Sequence, residues 1–283
     1  MAKNIGIIGF GNMGSAIGER LKSNYQVFVF DKDKNKTSNL KGINVVNNTT
    51  DLIKQVDAVI LAVKPQDFEA VLNEIKHYVK EKLIISIAAG ITTGNIEKAL
   101  GKAKVIRAMP NICAKIGKAE SSLCKGKYAK DTDLDFAKKL FDYLGKTWIM
   151  NEKMIDAATA IAGSGPAYIY YNMEINKYDS KNLPALVQQY YIERLAEAGK
   201  EVGFNAQTAL DLASTTTTSS ISLSAVSGIP PAELRKQITS KGGTTAAAIE
   251  IFQKSRSRKP NKKVWINAVK AALRRAKELS REE

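Results

Sequence analysis

Cysteine and histidine are nearly missing from this 283-residue chain, which has two of the first and one of the second. Cys113 and Cys124 have no second pair and no histidine near them, so neither a zinc site nor a disulfide framework is supported. They are expected to be reduced, as in a cytosolic protein, and to act as small core residues. His77 lies in a polar helical stretch and is expected at the surface, which argues against a His-centred triad or a His-based metal site; no metal is expected. Long apolar runs are lacking too. The longest, residues 58–63, falls far short of the roughly 20 residues that a membrane span requires. The opening residues, Met1-Ala2-Lys3-Asn4, run straight into a strand without a signal-peptide pattern. A cytoplasmic protein with no membrane partner is expected. Acidic residues are in short supply: 28 against 43 lysines and arginines leave a formal charge of +15. Residues 254–283 carry eleven of these cations against three glutamates. That segment is either an electrostatic footprint for a polyanion or a solvated helix face with a basic loop. Nucleic acid is not expected as a partner, and any anionic small ligand gains from the positive field.

What is present is a β/α rhythm. Residues 3–9, 26–30, 58–63, 83–87 and 104–108 read as strands, and 67–78 and 93–100 as helices between them. Near-continuous apolar strands with β-branched residues are expected to be covered on both faces. Asp131-Thr132-Asp133 caps a helix that Gly145 stops, and residues 147–150 are a candidate last strand. Beyond about residue 152 the β signal ends. Residues 157–162, 192–202, 206–213, 232–238, 246–253 and 263–279 read as helix. The fold class is therefore α/β, a Rossmann-type doubly wound parallel sheet over residues 1–153, followed by an all-helical domain over 154–283. Ser214 to Ser220 is a run of seven hydroxyl residues, whose β-branched members disfavour helix and suggest a strained or buried one.

Gly9-Phe10-Gly11-Asn12-Met13-Gly14 matches G-x-G-x-x-G between a strand and a helix, the context that the dinucleotide fingerprint requires. Gly9 permits the tight turn, Gly11 the approach of a pyrophosphate to helix amides, and Gly14 the packing of helix on strand. Asp31 ends the second strand, where an acid holds the ribose of NAD; Lys32 and Lys34 either hold the extra phosphate of NADP or face solvent. The choice between NADH and NADPH stays open. Lys64, in Ala62-Val63-Lys64-Pro65-Gln66, either touches the cofactor or is a surface lysine after a strand. Ser240-Lys241-Gly242-Gly243-Thr244-Thr245 joins two helices, as a carboxylate cradle of unpaired amides or as a plain turn capped by threonines.

Together these motifs resemble the pyrroline-5-carboxylate reductase family. The matching residues are the Gly9–Gly14 fingerprint, Leu61-Ala62-Val63-Lys64-Pro65-Gln66, Ser86-Ile87-Ala88-Ala89-Gly90-Ile91-Thr92, Arg107-Ala108-Met109-Pro110-Asn111, Gly163-Ser164-Gly165-Pro166-Ala167-Tyr168 and the Ser240–Thr245 loop, in the family's order. The resemblance implies a helical dimerisation domain and a homodimer or higher homo-oligomer. It implies reduction of 1-pyrroline-5-carboxylate to L-proline by NADPH or NADH, a step of proline biosynthesis. Ser240, Gly242, Gly243 and Thr244 would hold the substrate carboxylate, with Thr245 at the ring nitrogen. Ile8, Gly9, Phe10, Gly11, Asn12, Met13, Gly14, Asp31, Ala62, Val63, Lys64 and Pro65 would hold the cofactor.

Three departures fall in the second half. Residues 172–191 look inserted into a long helix, Lys241 replaces the proline usual between the loop serine and the glycines, and the 214–220 hydroxyl run stands where small packing residues are typical. The protonated imine needs orientation and a hydride donor rather than an acid of shifted pKa. Two rivals use the same fingerprint: a β-hydroxyacid-type NAD(P) dehydrogenase, which leaves the Ser240–Thr245 loop unexplained, and a non-enzymatic dinucleotide-binding protein with a basic polyanion-binding C-terminal region.

Overall fold

The structure is a computed structural model that describes residues 4–280. Met1, Ala2 and Lys3, the last of which begins the first expected strand, and Arg281, Glu282 and Glu283, at the end of the basic segment, lie outside the described residues. The chain divides into two compact units, one holding residues up to 110 with 121–152, the other 111–120 with residues from 153 on.

The first unit is the doubly wound sheet. Its elements are β1 (Asn4–Ile8), α1 (Asn12–Leu21), β2 (Gln26–Phe30), β3 (Asn44–Val45), α2 (Thr49–Gln55), β4 (Ala58–Leu61), α3 (Pro65–Ile75), β5 (Leu83–Ser86), α4 (Thr93–Leu100), β6 (Lys104–Pro110), β7 (Ala119–Lys125), α5 (Asp131–Asp142) and β8 (Gly145–Ile149). The strand order is β3-β2-β1-β4-β5-β6-β7-β8. Pairing is parallel from β3 through β6. The chain leaves β1 in one direction to build β2 and β3, then returns to place β4 on its other side. That reversal is the switch point at which such sheets bind ligands.

Both faces are covered. On one, Ile8, Val59, Leu61, Ile84 and Val105 pack with Leu52, Phe68, Leu72 and Ile96 of α2, α3 and α4. Gly6 shares that face, and a Cβ there would stand 2.3 Å from Leu52 Cδ2, so α2 lies directly on the strand. Ile7 points the other way, beneath α1 at Gly18. With no face in water, the strands need no polar alternation, which is why they read as unbroken apolar runs.

β7 is a strand that the pattern does not announce. It runs antiparallel to β6, with Arg107 opposite Cys124 and Met109 opposite Ser122. Glu120, Ser121 and Ser122 are buried in it. Three polar residues in a row carry no apolar signal, and their burial is set by neighbours distant in sequence. α2 is also unannounced; at seven residues it is too short for clear periodicity, although the Asn48 side chain caps it by accepting from the Asp51 amide at 2.7 Å.

The second unit is helical: α6 (Glu152–Ala158), a π-helical turn (Thr159–Gly163), α7 (Gly165–Asn176), α8 (Ala185–Glu201), α9 (Ala206–Ser227), α10 (Pro231–Ile238), α11 (Thr244–Ser255) and α12 (Lys262–Leu279). A single cut after residue 153 misses that 111–120 packs with these helices. Asn111 Nδ2 donates to the Ala162 carbonyl at 3.0 Å, and Lys115 Nζ to Gln237 Oε1 at 2.7 Å. Residues 172–191 fold as the end of α7, a loop and the start of α8. Asn172 is a buried residue of α7, with its Nδ2 donating to the Tyr168 carbonyl at 2.8 Å, and Tyr191 is buried in α8. Only residues 177–184 form a loop, starting where Lys177 turns left-handed (φ 54°) and ending at Pro184, which caps α8.

The hydroxyl run lies inside an uninterrupted α9. Ser220 Oγ donates to the Thr216 carbonyl at 2.6 Å and Thr218 Oγ1 to Ser214 at 2.9 Å, so these two hydroxyls are satisfied within their own helix, while Thr216 Oγ1 and Thr217 Oγ1 are buried without a hydrogen-bond partner. Trp265 is fully buried among Tyr168, Tyr190, Tyr191 and Phe252, its indole N–H donating to Tyr190 Oη at 3.2 Å. Several basic residues of this unit pair with acids: Lys254 with Glu250, Lys262 with Glu197, Lys270 with Glu201 and Arg275 with Glu278. Among the described residues, no helix is long and apolar enough to cross a membrane.

Candidate active site

In the first unit the site grows from the turn between β1 and α1. Gly9 is left-handed (φ 93°), and a Cβ there would sit 2.7 Å from the Ala62 carbonyl oxygen. Its amide donates to the Phe30 carbonyl at 2.8 Å. A Cβ at Gly14 would lie 2.0 Å from the Gly9 carbonyl oxygen, so the helix can approach the turn only with glycine there. Gly11 differs: a Cβ there would meet nothing within 4 Å. It is the N-cap of α1, with no side-chain cap and no acid in the first turn, leaving the helix amides and the positive end of its dipole facing open space. An uncapped, acid-free helix start of this kind can take an anion.

Beside the turn is a cavity of about 260 Å³. Of the residues expected to hold a cofactor, Ile8, Gly9, Gly11, Asp31, Ala62, Val63 and Lys64 line it. Phe10, Asn12, Met13, Gly14 and Pro65 do not. Phe10 packs its ring against Gly18, and Pro65 opens α3.

Asp31 holds the turn from below. Its Oδ2 accepts from the Phe10 amide at 2.6 Å, and its Oδ1 from the Asp33 amide at 2.8 Å and from Lys36 Nζ at 3.3 Å. Burial opposes its charge, but the two amides and the Lys36 cation outweigh that and keep the carboxyl below the usual aspartate value. Lys32 reaches Asp67 at 2.6 Å. Lys36, not Lys34, shares the cavity wall with Lys32. The reason is the short 3₁₀ turn Lys34–Lys36, capped by Asp33, which brings the later lysine back to Asp31. Thr49 and Glu74, also in the wall, hydrogen-bond to each other. Linear spacing from Asp31 does not reveal these three residues; only the Asp33 cap hints at the turn.

In the second unit, Ser240, Lys241, Gly242 and Gly243 form a tight turn closed by the Gly243 amide donating to the Ser240 carbonyl at 3.1 Å. Gly242 is left-handed (φ 69°), and a Cβ at Gly243 would collide with Ser240 Oγ at 2.3 Å. The expected carboxylate cradle changes in one respect. Gly243 spends its amide on the turn, so the donors left over are those that α11 cannot satisfy in its own first turn, at Thr244, Thr245 and Ala246. Gly243 caps the helix without a side-chain bond, and the first turn holds no acid.

Thr244 and Thr245 are buried, and both hydroxyls meet Ser164. Ser164 Oγ lies 3.1 Å from Thr244 Oγ1, and Thr245 Oγ1 donates to Ser164 Oγ at 3.0 Å. The π-turn before Ser164 sets its place: the Ser164 amide donates back five residues to Thr159 at 2.8 Å, while the Ala160 carbonyl accepts from Tyr168 Oη at 2.9 Å. Ser164 is not evident as a site residue from the sequence, although its Gly-Ser-Gly-Pro setting marks a helix start. Cys113 is buried in the same unit, and burial above all pushes its thiol up to about 11, so it is no nucleophile. His77 is exposed on the first unit.

Two family models match the chain. Residues 4–90 match the family described as NADP oxidoreductase coenzyme F420-dependent, and residues 183–279 match pyrroline-5-carboxylate reductase dimerisation. The pyrroline-5-carboxylate reductase of Methanosarcina acetivorans is 32% identical across 99% of this chain and 98% of its own. That of Pisum sativum is 35% identical across 84% of this chain and 80% of its own. Among solved structures, the pyrroline-5-carboxylate reductase of Coxiella burnetii superposes with a TM-score of 0.64 at 30% identity, covering 99% of this chain and 100% of that one. The Plasmodium falciparum pyrroline carboxylate reductase with NADP bound gives 0.63 at 28%, covering 98% of each. A glycerol-3-phosphate dehydrogenase from Coxiella burnetii, at 13% identity and a TM-score of 0.53, shares the fold alone.

Proposed function

Because the chain belongs to the pyrroline-5-carboxylate reductase family, we propose that it reduces the C=N bond of 1-pyrroline-5-carboxylate to give L-proline, with NADPH or NADH as reductant. The observation that carries this reading is the head of α11, where an uncapped helix start free of acids adjoins two buried threonine hydroxyls on Ser164. It offers a carboxylate its amide donors and a ring nitrogen its hydroxyl, within one turn of helix.

The residue roles follow from donor and acceptor bookkeeping. Ser240 and the first-turn amides at Thr244, Thr245 and Ala246 hold the carboxylate. Thr245 gives its proton to Ser164, so its oxygen accepts, and it meets the N–H of a protonated imine. Hydride adds to the imine carbon, the C=N electron pair moves to a nitrogen that already bears its proton, and no acid of shifted pKa is consumed. The reduced nicotinamide, when bound, supplies the hydride. Gly9, Gly11 and the first turn of α1 would hold its pyrophosphate, and Asp31, Lys36 and Lys32 would take its ribose end. The fit is good, since the one glycine of the turn that faces open space is the one a phosphate must approach. We also propose that the protein works in the cytoplasm as a homodimer or larger homo-oligomer. Exposed Leu186, Leu210 and Val226, all within the span matching the dimerisation family, support self-association.

The test is cofactor oxidation by the purified protein with 1-pyrroline-5-carboxylate, run in parallel with NADPH and NADH and with L-proline identified as product. No turnover with either cofactor would end the assignment.

A further inference from the structure

We propose that Arg275 of α12 is a positioning residue for the carboxylate site, locking the peptide unit that aims the first turn of α11. This rests on the reading of that first turn as the carboxylate site.

The turn before α11 has the signature of type II, with its third residue, Gly242, at φ 69° and a bond from the fourth residue to the first. The second position of such a turn is where a proline ring would pre-set the backbone; Lys241 occupies it and leaves that torsion free. Two glycines follow, neither with a side chain to restrain it. Gly243, as the N-cap, makes no side-chain bond that would fix how the helix begins. The chain is therefore loosest immediately before the amides that must point at a ligand.

Arg275 supplies the missing restraint. Its Nε donates to the Gly242 carbonyl at 2.7 Å. On the same peptide unit, the Gly243 N–H donates to the Ser240 carbonyl. A peptide held at both its acceptor and its donor cannot rotate, and the next three amides inherit its direction. The guanidinium is itself steadied: α12 packs against α11, Arg275 Nη1 meets Glu278 Oε2 at 3.1 Å, and the side chain is only 27% exposed. Its neighbour Arg274 is exposed. A positive charge fixed behind the turn also favours an anion in front of it.

The experiment compares wild type, Arg275→Met, Arg275→Lys and the double variant Lys241→Pro/Arg275→Met. Steady-state kinetics are run with 1-pyrroline-5-carboxylate, and L-proline binding is measured calorimetrically in the absence of turnover. Methionine keeps the aliphatic stem and removes the donors. It is expected to raise KM and weaken L-proline binding about tenfold, the loss of one charge-assisted hydrogen bond, with kcat within about twofold. Lysine is expected to fall between. The proline, by stiffening the turn, is expected to bring the double variant back to within about threefold of wild type. An unchanged KM in Arg275→Met would overturn the proposal, as would a fall in kcat alone or a failure of proline to restore KM in a double variant that melts like wild type. If wild type itself neither turns over the imine nor binds L-proline, the underlying assignment fails instead.

Discussion

The glycine turn after β1 makes a prediction in which structure and binding separate. An alanine at position 14 puts its Cβ 2.0 Å from the Gly9 carbonyl oxygen and 3.0 Å from the carbonyl carbon. Contact distance is roughly 3.5 Å, so the overlap exceeds an ångström. Both atoms belong to backbone, and no rotamer relieves them. Alanine gains about 1 kcal/mol of helix propensity over glycine, whereas overpacking costs about 1–3 kcal/mol. Retraction of the turn also loosens the Phe10 amide from Asp31, a charge-assisted bond of about 1.5–3 kcal/mol. The unfavourable terms win by about 1.5–5 kcal/mol. Gly14→Ala should melt at least about 3 °C below wild type and bind NADPH about 100-fold more weakly, read by calorimetric melting and by fluorescence titration. Gly11→Ala is the control with the opposite profile. Its Cβ enters open space and leaves the melting temperature within about 1 °C, yet it occupies the approach that a pyrophosphate uses, so affinity falls while the fold stands. Wild-type melting in Gly14→Ala, or lost stability with retained affinity in Gly11→Ala, would refute the argument.

Thr245→Ala removes the hydroxyl assigned to the ring nitrogen, and kcat should fall about tenfold while Thr245→Ser keeps most of it; unchanged kcat and KM in the alanine variant would take the residue out of the mechanism. Asp31 has a lowered carboxyl, so its contribution to stability is complete above the ordinary aspartate pKa of about 4 and is lost as pH falls through the lowered value. The Asp31→Asn variant should therefore be less stable at neutral pH and show a flatter decline of Tm in acid; an identical acid limb would show that other carboxylates carry it. With its thiol pushed up to about 11, Cys113 should resist iodoacetamide at pH 7 in the native protein and react once unfolded, as followed by mass spectrometry. Rapid native labelling would mean that the packing around it opens.

The glycine fingerprint was legible because its demands are local: a positive φ at Gly9 and backbone contact at Gly14 follow from what glycine lacks. The parallel strands were legible because burial on both faces leaves unbroken apolar runs. β7 was not, since Glu120, Ser121 and Ser122 are consecutive polar residues that are nonetheless buried. Lys36 stayed hidden because a single 3₁₀ turn decides which of three nearby lysines reaches Asp31. The hydroxyl run of α9 was ambiguous for a similar reason: Thr218 and Ser220 bond to the previous turn, whereas the Thr216 and Thr217 hydroxyls are buried without a partner, and packing decides that the segment is helix.

Taken alone, the order of residues determined the two-part architecture, the position of the glycine turn after β1 and the family, since each is written in short segments with local backbone requirements. Tertiary structure decided which donors are left over at the head of α11. The Gly243 amide turned inward to Ser240, Ser164 came to rest on two threonines some eighty residues away, and Arg275 closed on Gly242 from a different helix. Hydrogen bonds between distant parts of the chain are settled by packing, and a linear pattern carries no record of them.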